Sequence, residues 1–213
     1  MNASGTNGAL DSLAAIRIIP VVVIDDAAKA PDVAAALVEG GIGCAEITLR
    51  TPDGLAAIKA TAGVGDFVVG AGTVLSAEQV EACVDAGARF IVSPGFDDDV
   101  VAAAQAHGID VLPGVATASE IQRAVRAGLE VVKFFPADRL GGLSTIAALA
   151  APFTNVRFVP SGGVSPGNAR EYLEHPAIHS ISGSWMASRA TIAAGDFESI
   201  ARLAREAVAL TRP

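Results

Sequence analysis

Short runs of β-branched residues alternate with alanine-rich stretches of helical periodicity along the sequence, with a period of roughly 20–26 residues. Four of the helical stretches end in glycine and lead directly into the next apolar run, as in EGGIG at Glu39–Gly43. Glycine after a helix accepts a left-handed conformation without Cβ strain, so the chain can turn straight into a strand. The pattern predicts eight strands: Ile18–Ile24, Cys44–Leu49, Phe67–Ala71, Phe90–Ser93, Asp110–Pro113, Val131–Phe135, Arg157–Pro160 and Ile178–Ser182.

Helices are predicted between these strands. The clearest are Pro31–Glu39, Ala77–Ala86, Asp98–Ala106, Ser119–Ala127 and Asn168–Leu173. We interpret residues 1–8 as a loose tail that leads into a short amphipathic helix.

Strands that alternate with helices through short loops are parallel, and their crossovers are right-handed. Two architectures satisfy this arrangement. An open doubly wound sheet would carry a glycine-rich turn after its first strand, but residues 24–27 are Ile-Asp-Asp-Ala. A closed eight-stranded barrel matches the strand count, and no linker or low-complexity stretch divides the chain. We therefore predict a single-domain α/β protein over residues 1–213, a (β/α)8 TIM barrel with a short N-terminal helix.

Charge and hydropathy disfavour several classes of partner. The formal net charge is −8 and no stretch is dominated by Lys or Arg, so neither nucleic acid nor a membrane is expected as a partner. Apolar residues make up 51% of the chain, but Gly, Pro or a charge interrupts every run well short of a membrane span. The N-terminus lacks a secretory signal, and two cysteines make neither a disulfide framework nor a zinc site. We expect a cytoplasmic protein.

One lysine lies inside a predicted strand, where a charge needs an explanation. Lys29 and Lys59 fall near a helix start and on a helix, whereas Lys133 interrupts the apolar run Val131–Pro136. An ammonium among apolar side chains loses hydration, which favours the neutral amine, and a neutral amine can attack a ketone. The alternative is a structural ion pair, or a lysine that extends to the rim of the barrel.

The second predicted strand carries two further charges. Glu46, Thr48 and Arg50 share one face by strand alternation, so all three could point into the barrel. Arg50 is nearest the C-terminal mouth and could bind a substrate carboxylate with its planar guanidinium. Glu46, deeper in, could exchange protons with a bound intermediate. The alternative is that Glu46 pairs with Arg50 or Lys133 for structural reasons only.

Glycine-rich loops follow the seventh and eighth strands, which are the usual phosphate positions of these barrels. They lie at Ser161–Pro166 and Gly183–Trp185. Glycine lets backbone N–H groups approach an anion closely, and helix N-termini add favourable partial charge. The loops predict a phosphate site, although glycines that serve only tight turns would give the same pattern.

No metal site is predicted. The three histidines, His107, His175 and His179, fall at helix ends or near the start of the eighth strand, away from the expected mouth. No His/Asp/Glu cluster has metal-ligand spacing, so a metal-dependent enzyme is disfavoured.

On the basis of these residues, the sequence resembles the 2-keto-3-deoxy-6-phosphogluconate (KDPG) aldolases, which are also called 4-hydroxy-2-oxoglutarate (KHG) aldolases. The likeness extends from about Ile18 to the C-terminal helix. Its most specific motifs are EITLRT at Glu46–Thr51 and KFFPA at Lys133–Ala137, joined by VGAGTV, SPG, PGVAT, SGGV and SGSW. Ser161 stands where threonine is expected in many relatives, but a small hydroxyl is kept.

The resemblance implies a Schiff-base (class I) aldolase of the Entner–Doudoroff pathway that needs no cofactor and no metal. Its substrate would be a phosphorylated 2-keto-3-deoxy sugar acid, cleaved to pyruvate and D-glyceraldehyde 3-phosphate. Lys133 would form the Schiff base and Glu46 would be the general acid/base. The implied binding residues are Arg50 and Thr73 for the pyruvyl carboxylate, Pro94 and Phe135 as apolar walls, and Gly162, Gly163 and Ser184 for phosphate. The family is typically trimeric, so a homotrimer is expected.

Three alternatives stay open at this point. The same chemistry could act on the 6-phosphogalactonate epimer or on unphosphorylated 4-hydroxy-2-oxoglutarate. The barrel could instead belong to a phosphate-binding isomerase, epimerase or synthase, in which loss of Lys133 would leave substantial turnover. The chain could also be a non-catalytic sugar-phosphate binder whose charged strand residues pair with one another.

Overall fold

The computed structural model describes residues 8–212, so the tail predicted for residues 1–8 lies, except for Gly8, outside the described residues. Gly8 is the N-cap of the first helix. The strands within this range are β1 (Ile18–Val22), β2 (Cys44–Thr48), β3 (Val68–Gly72), β4 (Phe90–Val92), β5 (Asp110–Leu112), β6 (Gly114–Val115), β7 (Val131–Phe134), β8 (Arg157–Pro160) and β9 (Ile181–Gly183).

Helices separate most of the strands. They are α1 (Ala9–Ile16), α2 (Ala30–Glu39), α3 (Gly54–Thr61), α4 (Ala77–Asp85), α5 (Asp98–Ala106), α6 (Ala118–Arg126), α7 (Gly142–Ala150), α8 (Ala169–Glu174), α9 (Arg189–Ala194) and α10 (Phe197–Leu210). Glycines that follow four of them, Gly41, Gly87, Gly108 and Gly128, have positive φ and turn the chain toward the next strand.

All strand pairs are parallel. Six strands form one sheet in the order β5-β4-β3-β2-β1-β9, so the last strand of the chain pairs with the first. The other three form a sheet in the order β6-β7-β8. Isolated parallel bridges join Phe158 to Ile178 and Ser161 to Ser182, between the β8 and β9 segments. The chain is therefore an α/β fold with a curled parallel sheet.

The predicted fifth strand, Asp110–Pro113, ends one residue earlier, at Leu112, and a further short strand that was not predicted, β6, follows Pro113. Proline has no N–H to donate to a ladder, so a strand is interrupted there. β5 pairs with β4 on one side of the break, and β6 pairs with β7 on the other. The carbonyl of Pro113 accepts a hydrogen bond from the backbone N–H of Lys133 at 3.0 Å. The break thus coincides with the division between the two sheets.

The core is built from the strands and from the helix faces that cover them. Phe90, Phe134 and Phe158 are fully buried among Ile, Val and Leu side chains. Cys44 and Cys83 are free thiols that pack in this core as small apolar side chains, and burial raises the pKa of the Cys83 thiol to about 11. No helix within residues 8–212 combines the length and apolar character needed to cross a bilayer.

His179 makes stability depend on pH. The side chain lies beneath α1, 9% exposed, and burial lowers its pKa below 6.5, with Arg157 adding to the effect. A hydrogen bond to the Leu10 backbone and the charge of Asp11 oppose this shift. Because the folded protein binds the proton less readily than the unfolded chain, the free energy of unfolding should fall as pH drops below the unfolded pKa of about 6.5.

Denaturant titrations at several pH values between about 7.5 and 5 test this. His179→Gln should show a flatter pH dependence than the wild type, whereas the exposed His107→Gln should keep the wild-type dependence. Equal slopes for His179→Gln and the wild type would contradict the assignment.

Candidate active site

One cavity of about 290 Å³ lies where the C-terminal ends of several strands meet. Parallel strands bring these ends to one side of the fold, where ligand sites of such proteins are found. All nine residues predicted as site residues line it: Glu46, Arg50, Thr73, Pro94, Lys133, Phe135, Gly162, Gly163 and Ser184. The structure therefore brings together side chains that come from distant parts of the sequence.

The centre of the cavity is a buried pair of opposite charges. Lys133 on β7 is 7% exposed and Glu46 on β2 is 2% exposed. Lys133 Nζ donates to Glu46 Oε1 at 3.3 Å, and it lies 5.4 Å from the centre of the Phe135 ring. A buried pair contributes little to stability because desolvation offsets its attraction. At this distance a proton can pass between the amine and the carboxylate.

A glycine makes room for the Glu46 carboxylate. β2 and β3 run side by side with Glu46 opposite Gly70 and Thr48 opposite Gly72. A Cβ at Gly72 would overlap the carboxyl group of Glu46, so any larger residue there would displace it. The glycine in the VGAGTV motif therefore sets the position of Glu46. This steric role was not predicted from the sequence.

Arg50 lies at the exposed edge of the cavity. Its Nε donates to Thr48 Oγ1 at 3.3 Å, and Thr48 Oγ1 in turn donates to the carbonyl of Val22 at 3.2 Å. Among residues 8–212 no carboxylate forms a salt bridge with Arg50, so a Glu46–Arg50 pair is not formed. The terminal amines of the guanidinium can bind a carboxylate in the bidentate geometry that arginine favours.

Thr73 has an unusual backbone conformation where β3 ends at the cavity. Its φ is 60°, in the left-handed region that β-branched residues rarely adopt. Such backbone strain concentrates at ligand sites, where it fixes a group in one orientation. Pro94 lies on the next strand end, and the Oγ of the preceding Ser93 donates to the Gly95 carbonyl at 2.7 Å. Together these residues form a rigid wall beside the amine.

The loop after β8 presents backbone N–H groups to the cavity. Gly162 and Gly163 have φ of 87° and 89°, and a Cβ at Gly163 would overlap the side chain of Asp138. Their carbonyls accept hydrogen bonds from Asp138 N at 2.9 Å and Asn168 Nδ2 at 3.0 Å. Within the described part of the chain, the N–H groups of Gly163 and Ser184 donate to no backbone carbonyl. Such groups are suited to hold an anion.

Five further residues line the cavity and were not among the predicted site residues: Val21, Ser161, Val164, Ser182 and Gly183. Ser182 lies on β9, two positions before the predicted Ser184 in the loop that follows. That spacing was the signal that could have identified it.

In the chain from residue 8 to residue 212, no group of three or more His, Cys, Asp or Glu side chains is arranged to hold a metal ion.

Comparison with known proteins identifies close relatives. The 2-dehydro-3-deoxy-phosphogluconate aldolase of Treponema pallidum is 46% identical over 200 residues, which cover 92% of this chain and 94% of that protein. The crystal structure of the Zymomonas mobilis ZM4 KDPG aldolase with 3-phosphoglycerate is similar, with a TM-score of 0.88 and 43% identity. That likeness covers 95% of this chain and 96% of the other.

A second solved structure captures a reaction intermediate. It is the KDPG aldolase of Legionella pneumophila with pyruvate captured at low pH as a covalent carbinolamine. The TM-score is 0.89 at 36% identity, over 93% of this chain and 97% of that one. The family model for KDPG and KHG aldolases matches residues 10–203. The chain belongs to the KDPG and KHG aldolase family.

Proposed function

We propose that this chain is a Schiff-base (class I) aldolase that reversibly cleaves 2-dehydro-3-deoxy-6-phosphogluconate to pyruvate and D-glyceraldehyde 3-phosphate. The observation that carries the proposal is the Lys133 amine, buried 3.3 Å from the Glu46 carboxylate in a cavity that also contains Arg50 and the glycine loop. The name of the Treponema relative and the pyruvate carbinolamine of the Legionella structure support it. No metal or cofactor takes part in the proposed reaction.

The reaction begins when Lys133, as a neutral amine, attacks the C2 ketone of the substrate. Glu46 has already taken one proton from the Lys133 ammonium to free the amine. After a second proton moves from the nitrogen to the C2 oxygen and forms the carbinolamine, Glu46 returns the first proton to that oxygen, which leaves as water. The product is a protonated imine. Its positive charge accepts the electron pair of the C3–C4 bond when that bond breaks, so the imine is the electron sink of the reaction.

Bond cleavage requires removal of the proton on the C4 hydroxyl. Glu46 is the carboxylate close enough to the imine nitrogen to accept it, directly or through one water. Glyceraldehyde 3-phosphate then leaves, and protonation of the enamine at C3 gives the pyruvyl imine. Attack of water on that imine releases pyruvate and restores the amine of Lys133.

We propose that Arg50, with Thr73 beside it, binds the C1 carboxylate. Arg50→Ala should raise KM for the phosphorylated substrate by roughly 10–100-fold, because a charge-assisted hydrogen bond contributes about 1.5–3 kcal/mol. Arg50→Lys should recover only part of the loss, since an ammonium lacks the bidentate geometry. Steady-state kinetics with the exposed Arg205→Ala as control measure this. An unchanged KM in Arg50→Ala would contradict the role.

We propose that the N–H groups of Gly162 and Gly163, with Ser184, bind the phosphate, and that Pro94 and Phe135 form apolar walls near the imine. Ser184→Ala should lower kcat/KM about tenfold on the phosphorylated substrate and leave that for unphosphorylated 4-hydroxy-2-oxoglutarate unchanged. The exposed Ser144→Ala is the matched control. If the wild-type kcat/KM is no higher for the phosphorylated substrate than for 4-hydroxy-2-oxoglutarate, the loop has another role. In that case 4-hydroxy-2-oxoglutarate becomes the favoured substrate. Measuring the 6-phosphogalactonate epimer in the same series tests the stereochemical alternative.

We also propose that the two sheets are parts of one closed (β/α)8 barrel and that residues 1–213 form a single domain. The bridges between the β8 and β9 segments and the one-residue gap between β5 and β6 support closure.

We further propose that the protein is a homotrimer in the cytoplasm, as the family resemblance implies. Sedimentation equilibrium measures the number of copies, and a monomer would contradict the trimer.

A further inference from the structure

We propose that Ser182 is a specificity-determining residue that hydrogen-bonds the substrate hydroxyl next to the phosphate-bearing carbon. In the condensation direction this is the C2 hydroxyl of D-glyceraldehyde 3-phosphate. The inference rests on the proposed aldolase function and adds a contact for a substrate group to which no residue has yet been assigned.

Ser182 is a buried hydroxyl without a partner. The residue is 1% exposed, and its Oγ has no hydrogen-bond partner among the residues that the structure describes. Other buried hydroxyls, those of Thr48, Thr61 and Ser93, each donate to a backbone carbonyl. A buried hydroxyl without a partner costs free energy in the folded protein, so such groups call for a functional explanation.

Ser182 lines the same cavity as Lys133 and Ser184. It lies on β9, and an isolated bridge pairs it with Ser161 at the end of β8. Ser184 follows two positions later, just beyond the end of β9. Ser182 is 1% exposed whereas Ser184 is exposed, so Ser182 is the more deeply buried of these two serines that line the cavity.

Assignment of the other substrate groups leaves one hydroxyl for Ser182. Arg50 binds the C1 carboxylate, and Lys133 forms the imine at C2. Glu46 receives the proton from the C4 hydroxyl, and Ser184 with the glycine loop binds the phosphate on C6. The C5 hydroxyl lies between the C4 hydroxyl and the phosphate, and it needs a partner that can both donate and accept a hydrogen bond. A serine hydroxyl can do both.

The test compares two aldehydes that differ only in this hydroxyl. Wild type and Ser182→Ala are assayed for condensation of pyruvate with D-glyceraldehyde 3-phosphate and with 3-oxopropyl phosphate, which lacks the C2 hydroxyl. Ser182→Ala should lower kcat/KM about tenfold with glyceraldehyde 3-phosphate and leave kcat/KM with 3-oxopropyl phosphate unchanged. Its melting temperature without ligand should be equal to that of the wild type or higher, because an unsatisfied buried group has been removed.

Ser180→Ala is the matched control. Ser180 is a fully buried serine near the start of the same strand, but its Oγ lies 3.1 Å from His179 Nδ1 and it does not line the cavity. This variant should affect both aldehydes equally.

Two results would overturn the role of Ser182. One is an equal loss with both aldehydes in Ser182→Ala, which would indicate a structural role; the other is no loss with glyceraldehyde 3-phosphate. Borohydride trapping of pyruvate on both proteins separates this failure from failure of the proposed function. If the wild type neither traps pyruvate nor condenses it with either aldehyde, the aldolase function fails and the inference fails with it.

Discussion

Lys133→Met should lower kcat for cleavage by at least about four orders of magnitude, because it removes the nucleophile on which every later step depends. Methionine retains much of the apolar stem of lysine and fills a similar space, so the walls of the cavity should keep their shape. Coupled assay of pyruvate release from the phosphorylated substrate measures the loss.

Stability must be measured together with activity in this variant. Removing the lysine leaves Glu46 buried without its partner, and breaking a buried pair costs about 3–5 kcal/mol when the other charge remains. Lys133→Arg is therefore the second variant, since arginine keeps a positive charge near Glu46 but is not a nucleophile. Both should be inactive, whereas Lys59→Met on the exposed face of α3 should keep wild-type activity. Substantial turnover in Lys133→Met would instead favour an isomerase, epimerase or synthase.

Glu46→Gln should slow cleavage by roughly 10²–10⁴-fold, which is the usual contribution of a positioned acid/base group. Glutamine has nearly the shape of glutamate, so it should fit in the space that Gly72 leaves. The amide cannot accept the proton from the C4 hydroxyl. Exchange of the pyruvate methyl protons in D2O, followed by NMR, should slow by a similar factor, since enamine formation also needs this base.

The matched control for this variant is Glu39→Gln. Glu39 is an exposed carboxylate at the end of α2 that pairs with Arg205 at 3.1 Å, a surface pair of small energetic consequence. Its replacement should change neither cleavage nor exchange. Wild-type exchange in Glu46→Gln would show that another group moves the proton, and the proposed role of Glu46 would be wrong.

Strand alternation indicated Glu46 and Lys133 as residues that face the cavity, but Thr48, predicted on the same face as Glu46, does not line it. Lys133 is exceptional because it interrupts an apolar run, and Glu46 and Arg50 share a face at a spacing of four. Alternation contains no information on the distance between β2 and β7, which lie in different sheets. The 3.3 Å contact between Lys133 and Glu46 depends on how those sheets curl toward each other.

Other features depend on contacts that a single sequence does not display. The break at Pro113 was hidden because a proline at the end of an apolar run is equally compatible with a strand terminus. The need for glycine at position 72 follows from a carboxylate on the neighbouring strand, and the unpartnered Ser182 hydroxyl is evident only when its surroundings are known. The sequence predicts the residue types and faces of the site, and packing between strands determines which groups meet.

The most direct test of the central claim is reduction with borohydride in the presence of pyruvate, followed by peptide mass spectrometry. If Lys133 forms the imine, the wild type should gain one adduct equal in mass to pyruvic acid minus one oxygen atom. The modified peptide should carry it at Lys133, and Lys133→Met should gain none. An adduct at Lys29 or Lys59, or no adduct on a protein that still cleaves its substrate, would contradict the Schiff-base mechanism.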